Sequence, residues 1–163
     1  MAEHSEEGSS GSSPASRHPV TARTKARRRA IEILFEADQR GMLTTDAAEE
    51  LRSFAQLRAV SSANHTEAPA YTREILSGVA DHLAEVDETI ETYAQGWALS
   101  RMPAVDRAIA RVATWEIVWN DDVDAPVAVD EAMTLGRMLS TDDSPRFLNG
   151  LLGRIGDLAD TLR

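Results

Sequence analysis

Apolar residues in this chain recur at spacings of three and four, and no stretch alternates apolar with polar over the length of a strand. That period buries one face of a helix and cannot line one face of a sheet. Ala26, Ala30, Ile33, Leu34 and Ala37 make one such face, ending near Gly41. A second helix is predicted after Thr44 and Thr45, with Asp46 and Glu49 spaced as a capping box, fading by Val60. The polar run from Ser61 to Ala70, with Pro69, is predicted to be a loop. Ile75, Leu76, Val79 and Leu83 resume the helical period, and Asp87 is placed to cap a further segment through Ile90 to Trp97. Pro103 and Pro126 each suit the first turn of a helix. Ser144 followed by Pro145 predicts a cap and first turn for a last helix through Phe147, Leu148 and Leu151. The expectation is all-α: about seven helices in two small bundles packed as one domain.

The 163 residues suit one domain. Residues 1–20 are rich in Ser, Gly and Glu and hold almost no large apolar side chains, which predicts a disordered acidic tail and an ordered domain over 21–163. With no cysteine, disulfides, thiol catalysis and thiolate metal sites are excluded. No apolar run has the length of a membrane span, and the N-terminus lacks the order of a signal peptide, so a cytoplasmic protein is expected.

Charge is unevenly placed. Five of the 17 basic residues, Arg23, Lys25, Arg27, Arg28 and Arg29, fall within seven positions. The remaining 12 face 27 acidic residues, a balance of −15 outside that segment. A field that reverses so sharply steers a polyanion to one place. On the first helix Arg27, Ile31 and Phe35 follow at intervals of four, which sets an aromatic ring beside guanidinium groups at the rim of the apolar face. Arginine forks onto phosphate and a ring stacks on an unpaired base, a combination suited to single-stranded RNA. The competing reading is a solvated charged face with Phe35 in the core. No acidic neighbour precedes Glu32 to neutralise the cluster.

Catalytic patterns are missing. His4 and His18 lie in the tail, His65 in a polar loop, and only His82 on a helix. There is no phosphate-binding glycine loop. Gly150, Gly153 and Gly156 recur every three residues, a strip expected to allow close helix contact. Asp106, Arg107, Arg111 and Glu116 share a helix with Trp115 and are expected to tie it to its neighbours through ion pairs. Trp97, Trp115 and Trp119 read as core or interface anchors. No enzyme, cofactor or metal is expected.

Three segments together resemble the NusB transcription antitermination family: Trp97 through Glu116, with Met102-Pro-Ala-Val-Asp-Arg-Ala-Ile at its centre; Pro126-Val-Ala-Val-Asp-Glu-Ala132; and Asp143-Ser-Pro-Arg-Phe-Leu-Asn-Gly150. The Arg-rich start leading to Ala30, Leu34 and Phe35 is similar to that family's first helix. The resemblance covers Arg23 to about Ile155. It implies binding of the boxA element of ribosomal RNA leader transcripts jointly with NusE, a small-subunit ribosomal protein, within an antitermination complex on RNA polymerase. Carried over residue by residue, it puts Arg23, Lys25, Arg27, Arg28 and Phe35 in the RNA site, adds Arg146 and Phe147, and keeps Asp143 close to the RNA and partner surface. Some members self-associate, and a homodimer covering the basic segment would be an off state. The acidic tail, with Glu3, Glu6 and Glu7, would compete with RNA for the basic cluster.

The chain departs from the family pattern in places. Gly136 stands where Ala is usual, Arg137 where Lys is common, Leu148 where Val is usual, and Ala110 where a larger apolar residue is found. The position of Phe35 is often Tyr. Two other classes compete with this reading: an rRNA cytosine methyltransferase, which needs a nucleophilic cysteine this chain lacks, and a helical scaffold that binds protein alone.

Overall fold

A computed structural model describes residues 20–44, 47–60, 68–140 and 143–162. Residues 1–19 of the expected tail, His65, and Asp46 of the expected capping box lie outside them. The elements are helices α1 (Ala22–Gln39), α2 (Ala48–Val60), α3 (Ala70–Asp81), α4 (Leu83–Tyr93), a 3-10 turn at Leu99–Arg101, α5 (Ala104–Trp119), α6 (Ala125–Leu139), α7 (Ser144–Asp157) and the single turn α8 (Ala159–Leu162). Among the described residues there is no strand. None of the helices is long and apolar enough to cross a membrane.

Helix α1 begins on a reciprocal cap. The Thr24 N–H donates to Thr21 Oγ1 at 3.1 Å, and the Thr21 N–H donates to Thr24 Oγ1 at 3.1 Å. Two orphan donors are thereby satisfied at the end that carries the cations. The helix stops where Gly41 takes a φ of +73°, a left-handed turn that glycine adopts without strain.

Helix α5 is the common wall. Every residue from Ala108 to Val118 is buried, so the helix is enclosed on all sides. On one side pack α1 and α3, with α2 behind them; on the other pack α4, α6 and α7. These are the two expected bundles, sharing one continuous core.

Several local expectations are corrected. The break after α3 comes at His82, and Asp87 lies inside α4 with its carboxylate turned to Arg111 at 2.8 Å. An aspartate with a tertiary partner has no need to cap. Ser144 is the first residue of α7, not its cap; its hydroxyl is buried against Asp106. The glycine strip is not a close-contact surface either. A Cβ on Gly153 would meet nothing within 4 Å and one on Gly150 only the Arg154 guanidinium at 3.3 Å, while Gly156 alone faces another helix, 3.6 Å from the Ala125 Cβ. The close approach is at Gly78, where a Cβ would fall inside the Trp115 indole.

Candidate nucleic-acid interface

Arg23, Lys25 and Arg28 are exposed on α1, and Phe35 is 36% exposed at its rim. Arg28 and Phe35 are seven residues apart, two turns of helix, so they share one edge about 10 Å apart along the axis. Arg28 holds Glu32 at 3.4 Å, an open i,i+4 pair that a phosphate can displace at little cost.

Arg27 does not share that surface, which corrects the expected placement. Its side chain is 4% exposed. The Nε donates to both oxygens of Glu116, at 3.0 and 2.8 Å, and Nη1 donates to Glu131. Ile31, one turn on, is buried too, so the stripe of fours from Arg27 runs along the α5–α6 side of the helix before surfacing at Phe35. The aromatic ring keeps a guanidinium beside it, but that guanidinium belongs to Arg28.

The ion cluster around Arg27 anchors the basic end of α1. Thr24 Oγ1 donates to Glu131 Oε1 at 2.8 Å, and the Tyr71 hydroxyl donates to Glu116. Burial pushes the Glu116 carboxyl above its ordinary range, and Arg27 and Tyr71 pull it back in part. Burial also works against the Arg27 charge, yet Glu116, with Tyr71 and Glu131, outweighs it, so the guanidinium is held more firmly than in water. Burial raises the Tyr71 phenol as well, with the Glu116 charge adding to the effect. The Tyr71 ring also carries Arg23, whose guanidinium carbon is 4.1 Å from the ring centroid. That cation–π contact presets Arg23 at the surface.

The second expected group lies at the start of α7. Arg146 is exposed and Phe147 half-buried. Hydroxyls of Ser140 and Ser144 both donate to Asp106, joining the end of α6 and the start of α7 to α5. Phe147 stacks on Trp97 with centroids 5.1 Å apart. Trp115 is the buried anchor that was expected, whereas Trp97 is half exposed and Trp119 stacks on His82 at 4.8 Å. Arg107 and Arg111 do tie α5 to its neighbours. Arg107 Nε meets Asp38 at 2.8 Å, and Arg111 Nε meets Asp87 at 2.8 Å. Among the described residues no cluster of His, Asp and Glu is arranged to hold a metal ion.

Residues 24–157 match the model of the NusB family. This chain belongs to the NusB family. A transcription antitermination protein NusB of Beutenbergia cavernae is 53% identical over 146 residues, spanning 88% of this chain and 95% of that protein. Its counterpart in Arthrobacter sp. is 49% identical over 143 residues, spanning 88% and 98%. Among solved structures, T. maritima NusB superposes with a TM-score of 0.70 at 28% identity, covering 84% of this chain and 92% of that one. A chain from the crystal structure of antitermination factors NusB and NusE in complex with dsRNA superposes at 0.64 and 20% identity, covering 83% and 96%, a likeness of fold.

Behind the candidate surface of this NusB-family chain, the sequence reading missed the role of Tyr71 and the burial of Arg27. Tyr71 carried no local mark of its role beyond an aromatic at the start of α3. Arg27 did carry one: it lies three residues before Ala30 and four before Ile31, inside the apolar stripe. An arginine in that register is aimed at the core, and Glu116, the acid set between Trp115 and Ile117 on α5, is its natural partner.

Proposed function

We propose that this chain is a transcription antitermination factor that binds the boxA element of ribosomal RNA leader transcripts together with NusE and helps RNA polymerase read through terminators. It acts by binding and carries out no chemistry. The observation that supports this most is the surface of α1, where Arg23, Lys25 and Arg28 lead to an exposed Phe35 on a protein of net charge −10. Cations draw the phosphates, and the ring stacks on an unpaired base. Arg146 and Phe147 extend the site at the start of α7. The relatives named transcription antitermination protein NusB, about half identical over most of the chain, support the same reading.

Since the rest of the molecule repels a polyanion, affinity for RNA alone is modest. NusE adds its own surface, and RNA and NusE then reinforce each other's binding by the same factor. The test is fluorescence anisotropy of a labelled boxA-like RNA and a scrambled control, with and without NusE, on the parent protein and on an R23E/R28E variant. Preferential binding that tightens with NusE and is lost in the variant is expected. Equal, weak binding to both RNAs, indifferent to NusE and to charge reversal, would reduce the α1 surface to a solvated face.

A further inference from the structure

We infer that Trp97 is a nucleobase-stacking residue, so that the Trp97–Phe147 pair forms a second aromatic platform for unpaired RNA beside the one at Phe35. This rests on the RNA-binding reading above and extends it to the loop between α4 and α5. Of the large apolar side chains exposed among the described residues, only Phe35 and Trp97 are aromatic. Trp97 is 49% exposed although Phe147 is there to cover it. The two rings lie 5.1 Å apart at 30°, a stack that shields one side of the indole and leaves the remainder in solvent. A tryptophan needed for packing alone is enclosed, as Trp115 is.

The loop is built to present that ring. Gln95 and Gly96 take φ of 53° and 94°, and the left-handed pair turns the chain out of α4 just before Trp97. For glutamine this conformation is uncommon and is kept where surrounding contacts enforce it. Those contacts are present on both sides. Arg154 Nε donates to the Tyr93 carbonyl at 2.9 Å, and the Leu99 N–H donates to Glu91 at 3.2 Å. Arg107 Nη1 donates to the Met102 carbonyl at 2.6 Å, fixing the 3-10 turn that follows. The ring is therefore held in place before any ligand arrives, which lowers the ordering cost of binding. Exposed Arg146, next to Phe147, and Arg101, four residues after Trp97, supply positive charge for the backbone of a base stacked there. A stacked base needs a π face and a nearby cation, with no sequence-reading hydrogen bonds, so the ligand class is single-stranded RNA.

The test uses the full chain labelled with fluorotryptophan, a single-stranded boxA-like RNA, and the variants W97L and W97F. W97L is expected to bind RNA at least about fivefold more weakly, and W97F to stay within about twofold of the parent, since a stacked base contributes that much or more. In fluorine NMR the resonance absent from W97L is expected to move when RNA is added, and that of buried Trp115 to stay. Should W97L melt well below the parent, the parent's Trp97 resonance, identified by its absence from W97F, decides instead. RNA that binds the parent with its Trp97 resonance unmoved, or a folded W97L as tightly as the parent, would make Trp97 a packing residue. A loss in W97L confined to NusE binding would make it a protein contact and overturn the proposal. Failure of the parent to bind RNA at all would overturn the RNA reading itself, and this inference with it.

Discussion

Arg27 and Glu116, 89 residues apart in the chain, meet inside the fold with the guanidinium Nε 2.8 and 3.0 Å from the two carboxylate oxygens. Both side chains are almost wholly buried, at 4% and 1% exposure. This pair converts the middle of the most basic segment from a ligand surface into an anchor. It also fixes where Arg23 sits, because Tyr71 donates to Glu116 with its hydroxyl and carries Arg23 on its ring.

Removing Arg27 would strand two buried carboxylates. R27A is expected to lose about 3–5 kcal/mol of stability, the cost of breaking a buried pair from one side. R28A, on the exposed face, is expected to stay within about 0.5 kcal/mol of the parent. Urea unfolding of both variants measures the contrast. Equal, small losses would mean that Arg27 is solvated and free to meet RNA.

Salt dependence counts the phosphate contacts. With Arg27 withdrawn, Arg23, Lys25, Arg28 and Arg146 remain of the expected RNA-site cations. Four contacts to a single strand give a log–log slope of roughly −3, and neutralising any one of them should make it shallower by about 0.7. Anisotropy titrations over a range of salt for R23Q, K25Q, R28Q and R146Q test this. A slope unchanged in all four would place the RNA elsewhere.

Tyr71 should resist ionisation. Burial and the neighbouring Glu116 charge raise its phenol above the ordinary value of 10.0, so the folded protein keeps a proton that the unfolded chain loses. The stability this contributes is complete below pH 10 and is lost as pH rises through the folded value. The phenolate absorbance of the parent minus that of Y71F should stay flat above the ordinary tyrosine range until the protein unfolds. A normal titration step there would show that the phenol is solvent-bathed.

Two departures from the family pattern compensate each other in space. A Cβ on Gly136 would lie 3.1 Å from Cδ1 of Leu148, so the smaller residue on α6 makes room for the larger one on α7. G136A alone is expected to cost about 1–3 kcal/mol by overpacking, and L148V alone about 0.5–1.5 kcal/mol by opening a void. The double variant should recover at least about 0.5 kcal/mol of their sum. Additive losses in a thermal-unfolding cycle would show that the helices shift apart instead.

At Gly78 the margin is smaller still. Its missing side chain admits the Trp115 indole, so G78A must move either the ring or α3. A loss of about 1–3 kcal/mol, with a change in tryptophan emission, is expected. Unchanged stability and emission would mean that the indole has room to withdraw.

Much of the fold was legible because helices are local. The face from Ala26 to Ala37, the first-turn prolines at 126 and 145, and the apolar run of α5 each speak within a turn or two of themselves, while Pro103 falls one residue earlier than expected, as the N-cap of α5. Where a local signal failed, a distant partner was the cause. Asp87 looked like a cap until Arg111 claimed it, and Ser144 until Asp106 did. The candidate site was half legible on the same grounds. Arg28 and Phe35 surface as their helical positions require, while Trp97 looked like an anchor because nothing in its own segment reveals that Phe147 covers only one side of it.

By itself, then, the sequence determined an all-helical domain with a basic first helix in an acidic chain, since periodicity and net charge need no knowledge of distant contacts. Only the tertiary structure decided which of those cations remain at the surface. Glu116 and Glu131 lie 89 and 104 residues from Arg27, and burial makes their charges count there as they would not in water.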